Sequence, residues 1–298
     1  MSANVTSWGK RVLCTGRLYC DLVMSGLSAA PEPGQEVYAS GLVLAAGGGA
    51  YITAAYLAAL GRGAGLAAVL PAEPFAGAIA TELSGAGLDL GACSLAAPGM
   101  EPQITVAMIL DGDRAFVTRR AGLAFPEALG AAVDSGAWDH LHIGELASLV
   151  ESPQVIARAK AAGMTISLDC SWDAKVLARD DLAQVMQGVD IFFPNRAEAD
   201  MLAYHGRLAP LVVVKEGAAG ARAISAKGSI HRPAVVTEVV DTVGAGDAFN
   251  AGFLDRWLFG AGLADCLDAG AHTASAAVAR QGGARGLGRL TRHKPTAR

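Results

Sequence analysis

An α/β fold built on a doubly wound, mostly parallel sheet is predicted by two patterns. Short apolar runs alternate with helical patterns over most of the 298 residues, which is typical of a parallel sheet covered by helices on both faces. Several of these runs are apolar throughout, as strands buried on both faces are. The predicted core strands are Val12–Thr15, 66–70, His140–Ile143, Thr165–Asp169, Ile191–Phe193, Leu211–Lys215 and Ala221–Ser225.

Two regions break this rhythm and predict a small second sheet. Residues 17–46 carry prolines and glycine between extended runs, and residues 103–122 contain the turn Asp111-Gly112-Asp113-Arg114 between two alternating runs. Alternation of apolar and polar residues indicates strands with one wet face. We therefore expect a β-sheet lid, formed by about these two segments, within a single domain spanning residues 1–298.

The composition favours a small-molecule partner. The formal net charge is -4, and no run of Lys or Arg is present, so we expect neither nucleic-acid nor membrane-surface binding. The five cysteines are scattered and never spaced as C-x-x-C, which suggests no disulfide framework or zinc site. Residues 37–61 lack charge, but Gly47-Gly48-Gly49 interrupts them, and glycines disfavour a membrane-spanning helix. Without a signal-peptide pattern, a cytoplasmic location is expected.

The most informative segment is residues 241–253, which follow the extended run 235–240 and open a helix continuing to about residue 259. This order predicts a strand, a tight turn of small residues and a helix start. Backbone amides at a helix start, together with the positive end of the helix dipole, form an anion site. Gly244, Ala245 and Gly246 would line it.

Asp247 lies in the first turn of that helix, beside the predicted anion site. A carboxylate there can take the proton from an attacking hydroxyl while the amides stabilise a transferring phosphoryl group. That division of labour is a kinase mechanism. The structural alternative is that Asp247 only interacts favourably with the helix dipole, the commoner role of a first-turn acid.

The string Asp241-Thr242-Val243-Gly244-Ala245-Gly246-Asp247-Ala248-Phe249-Asn250-Ala251-Gly252 resembles the C-terminal signature D-T-x-G-A-G-D-x-F-x-x-G of the ribokinase-like (PfkB) carbohydrate kinases, with every fixed position present. The resemblance implies ATP and Mg²⁺ as cofactors and a sugar-like acceptor. It also implies that Asp247 is the catalytic base, that the amides of Gly244, Ala245 and Gly246 form the anion hole, and that Thr242, Gly244 and Gly246 contact the nucleotide.

The resemblance extends to the N-terminal half. The segment from Gly47-Gly48-Gly49 to Gly61 is similar to the family's glycine signature, which implies that Gly47 and Gly48 approach the substrate and that Asp21 binds its hydroxyls. Taken alone, the glycines read as a strand-to-helix turn and Asp21 as a turn former. Ile52 occupies the position of a family Asn that contacts substrate, and an aliphatic side chain cannot supply that hydrogen bond. Either the substrate lacks the matching hydroxyl, another residue replaces the contact, or phosphorylation is poor.

Asn195 and Glu198 follow a buried strand at i, i+3 and resemble the family's N-x-x-E motif. The resemblance implies that they organise Mg²⁺ and phosphate, Glu198 through water. Their spacing also fits an N-cap and its capping-box partner.

Three further segments resemble nucleotide- or ion-binding positions of the family. Lys215, Gly217 and Gly220 would lie beside ATP, although a plain hairpin explains the same residues. His272 would lie near adenine, although a lone His on an Ala-rich helix is more often a packing or surface residue. Asp241 would belong to a possible K⁺ site.

Arg114, Arg119 and Arg120 come from the predicted lid hairpin. Solvated edge charge is one interpretation. The other is that at least one of them, Arg120 among them, reaches a substrate carboxylate or phosphate, which would favour a sugar acid or sugar phosphate. Trp172 either stacks on a substrate ring or belongs to the core.

These observations predict ATP-dependent phosphorylation of a sugar-like hydroxyl. No P-loop, dinucleotide-binding or nucleophile-elbow motif competes with this prediction. A nucleoside kinase of the same family and a non-catalytic sugar or nucleotide sensor are the alternatives. Exposed lid strands would also allow a homodimer through the lid.

Overall fold

The computed structural model describes residues 9–110 and 113–293, in which strands alternate with helices. The strands are β1 (Val12–Thr15), β2 (Tyr19–Ser25), β3 (Gly41–Gly47), β4 (Ala64–Ala67), β5 (Val69–Leu70), β6 (Ser94–Leu95), β7 (Ile104–Leu110), β8 (Asp113–Arg119), β9 (His140–Ile143), β10 (Thr165–Asp169), β11 (Ile191–Phe193), β12 (Leu211–Lys215), β13 (Ala221–Ser225) and β14 (Gly228–Arg232). The helices are α1 (Gly49–Ala59), α2 (Ala76–Gly85), α3 (Leu129–Asp134), α4 (Leu146–Glu151), α5 (Gln154–Ala161), α6 (Ala174–Leu177), α7 (Leu182–Val185), α8 (Arg196–Met201), α9 (Ala245–Trp257) and α10 (Leu263–Val278).

The larger sheet of the described residues has eight strands in the order β14-β13-β12-β11-β10-β9-β1-β4. Neighbouring strands from β4 to β12 run parallel, and only the edge pairs β12-β13 and β13-β14 run antiparallel. Helices cover both faces of this sheet. Successive residues of a strand point to opposite faces, so each strand contributes to two helix-covered cores. Val12 and Cys14 of β1 join the core of α1, α9 and α10, whereas Leu13 joins the core of α3, α4 and α5. The predicted doubly wound, mostly parallel sheet is confirmed.

Six of the seven predicted core strands have the predicted bounds. The seventh, at residues 66–70, is wrong as a single strand because the chain leaves the main sheet after Ala67. Strand β4 pairs with β1 in the large sheet, whereas β5 pairs with β6 in a separate two-stranded sheet.

The predicted strand at residues 235–240 is also wrong. This segment has no regular secondary structure, and Val236 is fully exposed. The backbone amides of Val240 and Asp241 donate to the carbonyl oxygen of Val278, at the end of α10. The glycine turn that follows is therefore anchored to a helix end rather than to a sheet.

The predicted small sheet is present. It has four strands in the order β3-β2-β7-β8 within the described residues, with β2 antiparallel to β3, parallel to β7, and β7 antiparallel to β8. The turn residues Asp111 and Gly112, and the side chain of Arg114, lie outside the described residues. This four-stranded sheet is the lid. Its closure over a ligand stays a prediction.

The uncharged stretch at residues 37–61 forms β3 and α1, with the turn at Gly48 between them. Among the residues that the structure describes, no helix combines the length and apolar character needed to cross a bilayer. The glycine triplet therefore marks a strand-to-helix turn, as expected.

Candidate active site

The glycine turn before α9 forms a helix N-terminus suited to an anion. Gly244 is the N-cap residue, in the left-handed conformation (φ 74°, ψ 4°), which favours glycine because it has no Cβ. The amide of Ala245 donates back to the carbonyl oxygen of Thr242 over 3.3 Å. First-turn amides have no intrahelical acceptors, and the helix dipole adds positive potential there. The predicted anion turn, residues 244–246, is thus at a helix start.

Asp247 lies where the N-termini of α1 and α9 meet. A Cβ built on Gly49 would lie 2.8 Å from Oδ1 of Asp247 and 2.6 Å from the carbonyl oxygen of Gly144. The hydroxyl of Thr53 donates to the backbone carbonyl of Asp247 over 3.2 Å. The predicted base therefore stands next to the glycine turn before α1. Sequence reasoning named Gly49 within the glycine signature but did not predict its approach to Gly144, because this contact joins loops far apart in the chain.

The predicted acceptor residues come together on the other side of that turn. A Cβ on Gly47 would lie 1.9 Å from Oδ2 of Asp21, so any larger residue there would displace this carboxyl group. Gly48 has φ 100°, and a Cβ there would lie 2.3 Å from the carbonyl oxygen of Arg17. Burial and the nearby Glu82 raise the pKa of Asp21 to about 7, against a smaller lowering by its hydrogen bond with Thr105.

Ile52 is 3% exposed and packs against the anion turn. A Cβ on Gly244 would lie 3.0 Å from Cγ2 of Ile52, and one on Gly283 would lie 3.5 Å from its Cδ1. The aliphatic side chain therefore supports the backbone of the turn. A direct contact between Ile52 and substrate stays a prediction.

Lys215 belongs to a buried polar network next to the anion turn. Its ammonium group donates to Oδ1 of Asp169 over 2.7 Å and to Oδ1 of Asn250 over 3.5 Å, while Nδ2 of Asn250 donates to Oδ2 of Asp169 over 2.7 Å. A Cβ on Gly246 would lie 3.3 Å from Nζ of Lys215. Burial by itself lowers the pKa of Lys215, but the carboxylates of Asp169, Glu198 and Asp247 raise it above its ordinary value. The lysine is therefore a fixed cation. Asp169 and Asn250 were missed, although Asp169 ends a buried strand.

Asn195 and Glu198 form the capping box that their spacing also suggested. Oδ1 of Asn195 accepts from the amide of Glu198 over 2.9 Å, and Oε2 of Glu198 accepts from the amide of Asn195 over 2.7 Å. Glu198 is 3% exposed, and burial raises its pKa, with Asp169 adding to the rise and Lys215 opposing it. Within residues 9–110 and 113–293, no group of three or more His, Cys, Asp or Glu side chains could hold a metal directly.

The remaining residues predicted to contact the nucleotide lie at two places. Gly217 and Gly220 form the tight turn of the β12-β13 hairpin, and a Cβ on Gly220 would lie 2.1 Å from the carbonyl oxygen of Arg232. His272 is exposed on α10 and stacks on His293, with ring centroids 4.3 Å apart. Their contacts with ATP stay predictions.

Asp241 joins the anion turn to the loop after α10. Its Oδ1 accepts from the amide of Val243 over 2.9 Å, and its Oδ2 accepts from the amide of Gly282 over 2.8 Å. The side chain is almost fully buried. These bonds give Asp241 a structural role, and its part in a K⁺ site stays a prediction.

Arg120 leaves the lid and contacts the body of the protein. It forms an ion pair with Asp173, lies 3.8 Å from Oε2 of Glu145 and donates from Nε to the hydroxyl of Tyr19 over 3.4 Å. Arg119 pairs with Glu101 at the exposed surface. The interpretation of Arg119 as solvated edge charge therefore fits its position, whereas Arg120 is partly buried between the two sheets.

Taken together, an α/β sheet with a second sheet beside it, a glycine turn at a helix start and an aspartate in that first turn define the class of small-molecule kinases. Comparison with known proteins gives the family. The model described as pfkB family carbohydrate kinase matches residues 10–287, so the chain belongs to the PfkB family. It is an ATP-dependent kinase of the sugar and nucleoside kinase type.

Relatives of the chain are named for different acceptors. The chain is 30% identical over 260 residues to the ATP-dependent ribose-1-phosphate kinase of Halopiger xanaduensis, covering 83% of this chain and 85% of that protein. It is 34% identical over 116 residues to the nucleoside kinase of Methanothermobacter thermautotrophicus, covering 36% of this chain and 38% of that protein.

Solved structures confirm the ribokinase-like fold. The ribokinase of Cryptococcus neoformans in complex with ADP superposes with a TM-score of 0.78 at 19% identity, covering 94% of this chain and 97% of that chain. The ribokinase of Arabidopsis thaliana complexed with ribose and ATP gives a TM-score of 0.74 at 20% identity, covering 93% and 94%.

Proposed function

We propose that the protein transfers the γ-phosphoryl group of ATP to a hydroxyl of a sugar or sugar-derived molecule, with Asp247 as general base. The observation that carries the proposal is the position of Asp247, between the anion turn at residues 244–246 and the glycine turn at Gly48 and Gly49. Asp247 takes the proton of the acceptor hydroxyl, whose oxygen bonds to the γ-phosphorus as the bond to the leaving ADP oxygen breaks. The helix-start amides stabilise charge on the transferring group.

The acceptor binds, in this proposal, between Asp247 and the lid. Asp21 accepts hydrogen bonds from acceptor hydroxyls, and Gly47 and Gly48 let the ring lie against the backbone. Because Asp21 is held against Gly47, its carboxyl group is placed before any ligand arrives, which lowers the entropy lost on binding.

ATP binds, in this proposal, along the opposite edge of the anion turn. Lys215 faces the phosphates, Thr242 and the hairpin glycines Gly217 and Gly220 line the path, and His272 lies towards the adenine. Mg²⁺ usually keeps several waters in phosphate sites, so side chains that would hold it here need not touch it directly. The carboxylate of Glu198, ordered with Asn195 in the capping box, fits a contact through water. When bound, Mg²⁺ offsets charge on the phosphates.

Asp247→Ala tests the proposal, with Asp265→Ala as the matched control. Asp265 is the first-turn acid of the neighbouring helix α10, so both variants lose the same interaction with a helix dipole, about 0.3–1 kcal/mol. Loss of a general base adds a fall in kcat of about 10²–10⁴-fold for Asp247→Ala alone. The assay is coupled ADP release with Mg-ATP and a panel of sugars, sugar acids, sugar phosphates and nucleosides. ATP binding is followed by calorimetry. A folded Asp247→Ala protein that keeps the turnover of Asp265→Ala contradicts the proposed role.

A nucleoside kinase is the second candidate, and one observation favours it. Trp172 is 56% exposed, so it is not a core residue, and it follows Ser171, a non-glycine residue with φ 58°. A strained backbone of this kind is often kept at functional sites, and an exposed indole can stack on a base. Competition between ribosides and free sugars as acceptors separates the two candidates. If Trp172 stacks on a base, Trp172→Ala weakens binding of ribosides and leaves binding of free sugars unchanged.

Location and assembly stay predictions. A cytoplasmic protein fits the free cysteines of the described residues. A homodimer through the lid fits the exposed Leu42 and Val117 on β3 and β8, each 63% exposed. Edge strands of this kind are open to pairing with a second chain.

A further inference from the structure

The acceptor end of the site is bordered by a group of paired charges, called here the acceptor-side cluster: Arg17, Arg120, Glu145, Glu151 and Asp173. Arg17 donates to Oε2 of Glu151 over 2.5 Å and lies 3.6 Å from Oε1 of Glu145. Arg120 pairs with Asp173 and lies 3.8 Å from Oε2 of Glu145. Guanidinium groups stay charged at any physiological pH, so two cations face three carboxylates.

The cluster adjoins the reacting centre through continuous contacts. Glu145 directly follows Gly144, whose carbonyl oxygen faces Gly49 and, beyond it, Asp247. The hydroxyl of Tyr19 donates to Oε2 of Glu145 over 3.2 Å, and the ring of Tyr19 flanks Gly48. An acceptor lying on the glycine turn therefore has Tyr19, Glu145 and Arg120 as near neighbours.

Asp173 is held in place independently of Arg120. It is the N-cap of α6, and its Oδ1 accepts from the amides of Lys175 and Val176 over 3.0 and 3.2 Å. Its Oδ2 is the atom that pairs with Arg120. A ligand anion that recruited Arg120 would have to compete with a carboxylate fixed by two backbone bonds, and would lie near Glu145 as well. Like charges at this range are unfavourable.

We propose that Asp173 is a specificity-determining residue, which holds Arg120 and makes the site discriminate against phosphorylated acceptors. This inference rests on the proposed kinase function and goes beyond it by stating the charge of the acceptor: an uncharged polyhydroxyl compound. The relative from Halopiger xanaduensis is named for a phosphorylated acceptor, ribose 1-phosphate. The acceptor inferred for this chain carries no such charge. The inference also revises the expectation that Arg120 would favour a sugar acid or sugar phosphate, because that guanidinium is already matched by carboxylates.

The test compares Asp173→Asn with Asp181→Asn. Asparagine keeps the N-cap function but removes the charge opposite Arg120. Asp181 is the N-cap of the next helix, α7, and its ion pair is with Arg179 at the surface, so its variant controls for loss of a carboxylate at a helix start. Asp173→Ser, which also caps helices, replaces Asp173→Asn if the latter does not fold.

Two readouts are measured for each protein. The first is kcat/KM for uncharged acceptors (ribose, fructose and nucleosides) and for ribose 1-phosphate, ribose 5-phosphate and nucleoside monophosphates. The second is calorimetric binding of the same compounds, which reports even where turnover is absent. We expect the wild type and Asp181→Asn to prefer the uncharged acceptors, and Asp173→Asn to shift the ratio towards the phosphorylated ones by about tenfold or more, mainly through KM or Kd.

A wild type that prefers ribose 1-phosphate, or an Asp173→Asn protein whose ratio matches that of Asp181→Asn, overturns the inference. Either result leaves the kinase function standing if turnover is still lost in Asp247→Ala. Absence of turnover on every acceptor instead counts against the proposed function, and the binding ratios then decide the inference separately.

Discussion

Replacement of Gly49 by alanine tests the contact between the two helix starts. A methyl carbon there would lie 2.6 Å from the carbonyl oxygen of Gly144 and 2.8 Å from Oδ1 of Asp247, whereas ordinary contact begins at 3.4 Å. The structure must therefore open by about 0.8 Å at the backbone and about 0.6 Å at the carboxylate. The backbone cannot yield as a side chain does, so we expect Asp247 to be displaced. A misplacement of about 1 Å costs about 10²-fold in rate.

The matched control is Gly77→Ala, in the first turn of α2, where an added methyl meets nothing within 4 Å. We expect the control to keep its kcat and to gain about 0.4–1 kcal/mol in stability. Gly49→Ala is expected to lose about 1–3 kcal/mol from overpacking and about 10²-fold in kcat. Coupled ADP release gives kcat, and urea unfolding gives the free energy of unfolding. A folded Gly49→Ala protein whose kcat lies within about twofold of the control refutes the proposed geometry.

Two further predictions concern buried charges. The pKa of Asp21 is raised from 3.8 to about 7, so the native protein binds more protons than the unfolded chain between these pH values and loses stability as pH rises from about 4 to about 7. Asp21→Asn removes this loss. We expect it to be more stable than the wild type by about 4 kcal/mol at pH 8, with no such gain at pH 4, and to raise the acceptor KM. The measurement is thermal unfolding of both proteins at pH 4 and pH 8. A stability difference between Asp21→Asn and the wild type that is the same at both pH values would contradict this prediction. Lys215→Met leaves Asp169 buried without its cation, so we expect a loss of about 3–5 kcal/mol in urea unfolding and weaker ATP binding in calorimetry. The control, Lys227→Met in an exposed turn, is expected to change neither, and a similar result for both variants would refute the assignment.

Much of the fold follows from the sequence because strands buried on both faces are apolar throughout. The strand Ile191–Phe193, which is buried at all three residues, has the predicted bounds for this reason. Residues 235–240 show the limit of the argument. Their valines favour a strand, but strand propensity reflects packing against neighbouring strands, and this segment has none in the described residues.

The candidate site was predictable where its residues are adjacent in sequence, as Gly244, Ala245, Gly246 and Asp247 are. Their order in the sequence is enough to place the carboxylate of Asp247 beside a helix start. The bond between Asp169 and Asn250 joins residues 81 positions apart, and local patterns carry no signal for such a pair. The close approach of Gly49 to Gly144 was hidden for the same reason.

The charges at the two ends of the site support different partners. On the nucleotide side, the carboxylates of Asp169, Glu198 and Asp247 all act on one buried cation, Lys215, so acids outnumber bases in this group. These side chains by themselves would repel a bare polyphosphate and so work against the helix-start amides that attract it, which calls for a cation that arrives with the ligand. ATP that carries its own Mg²⁺ meets that requirement, because the ion screens the phosphates from the acids. On the acceptor side, Arg120 is matched by Asp173, and a sugar phosphate would bring no such cation. The same excess of carboxylates therefore favours a metal-bound nucleotide at one end and an uncharged acceptor at the other.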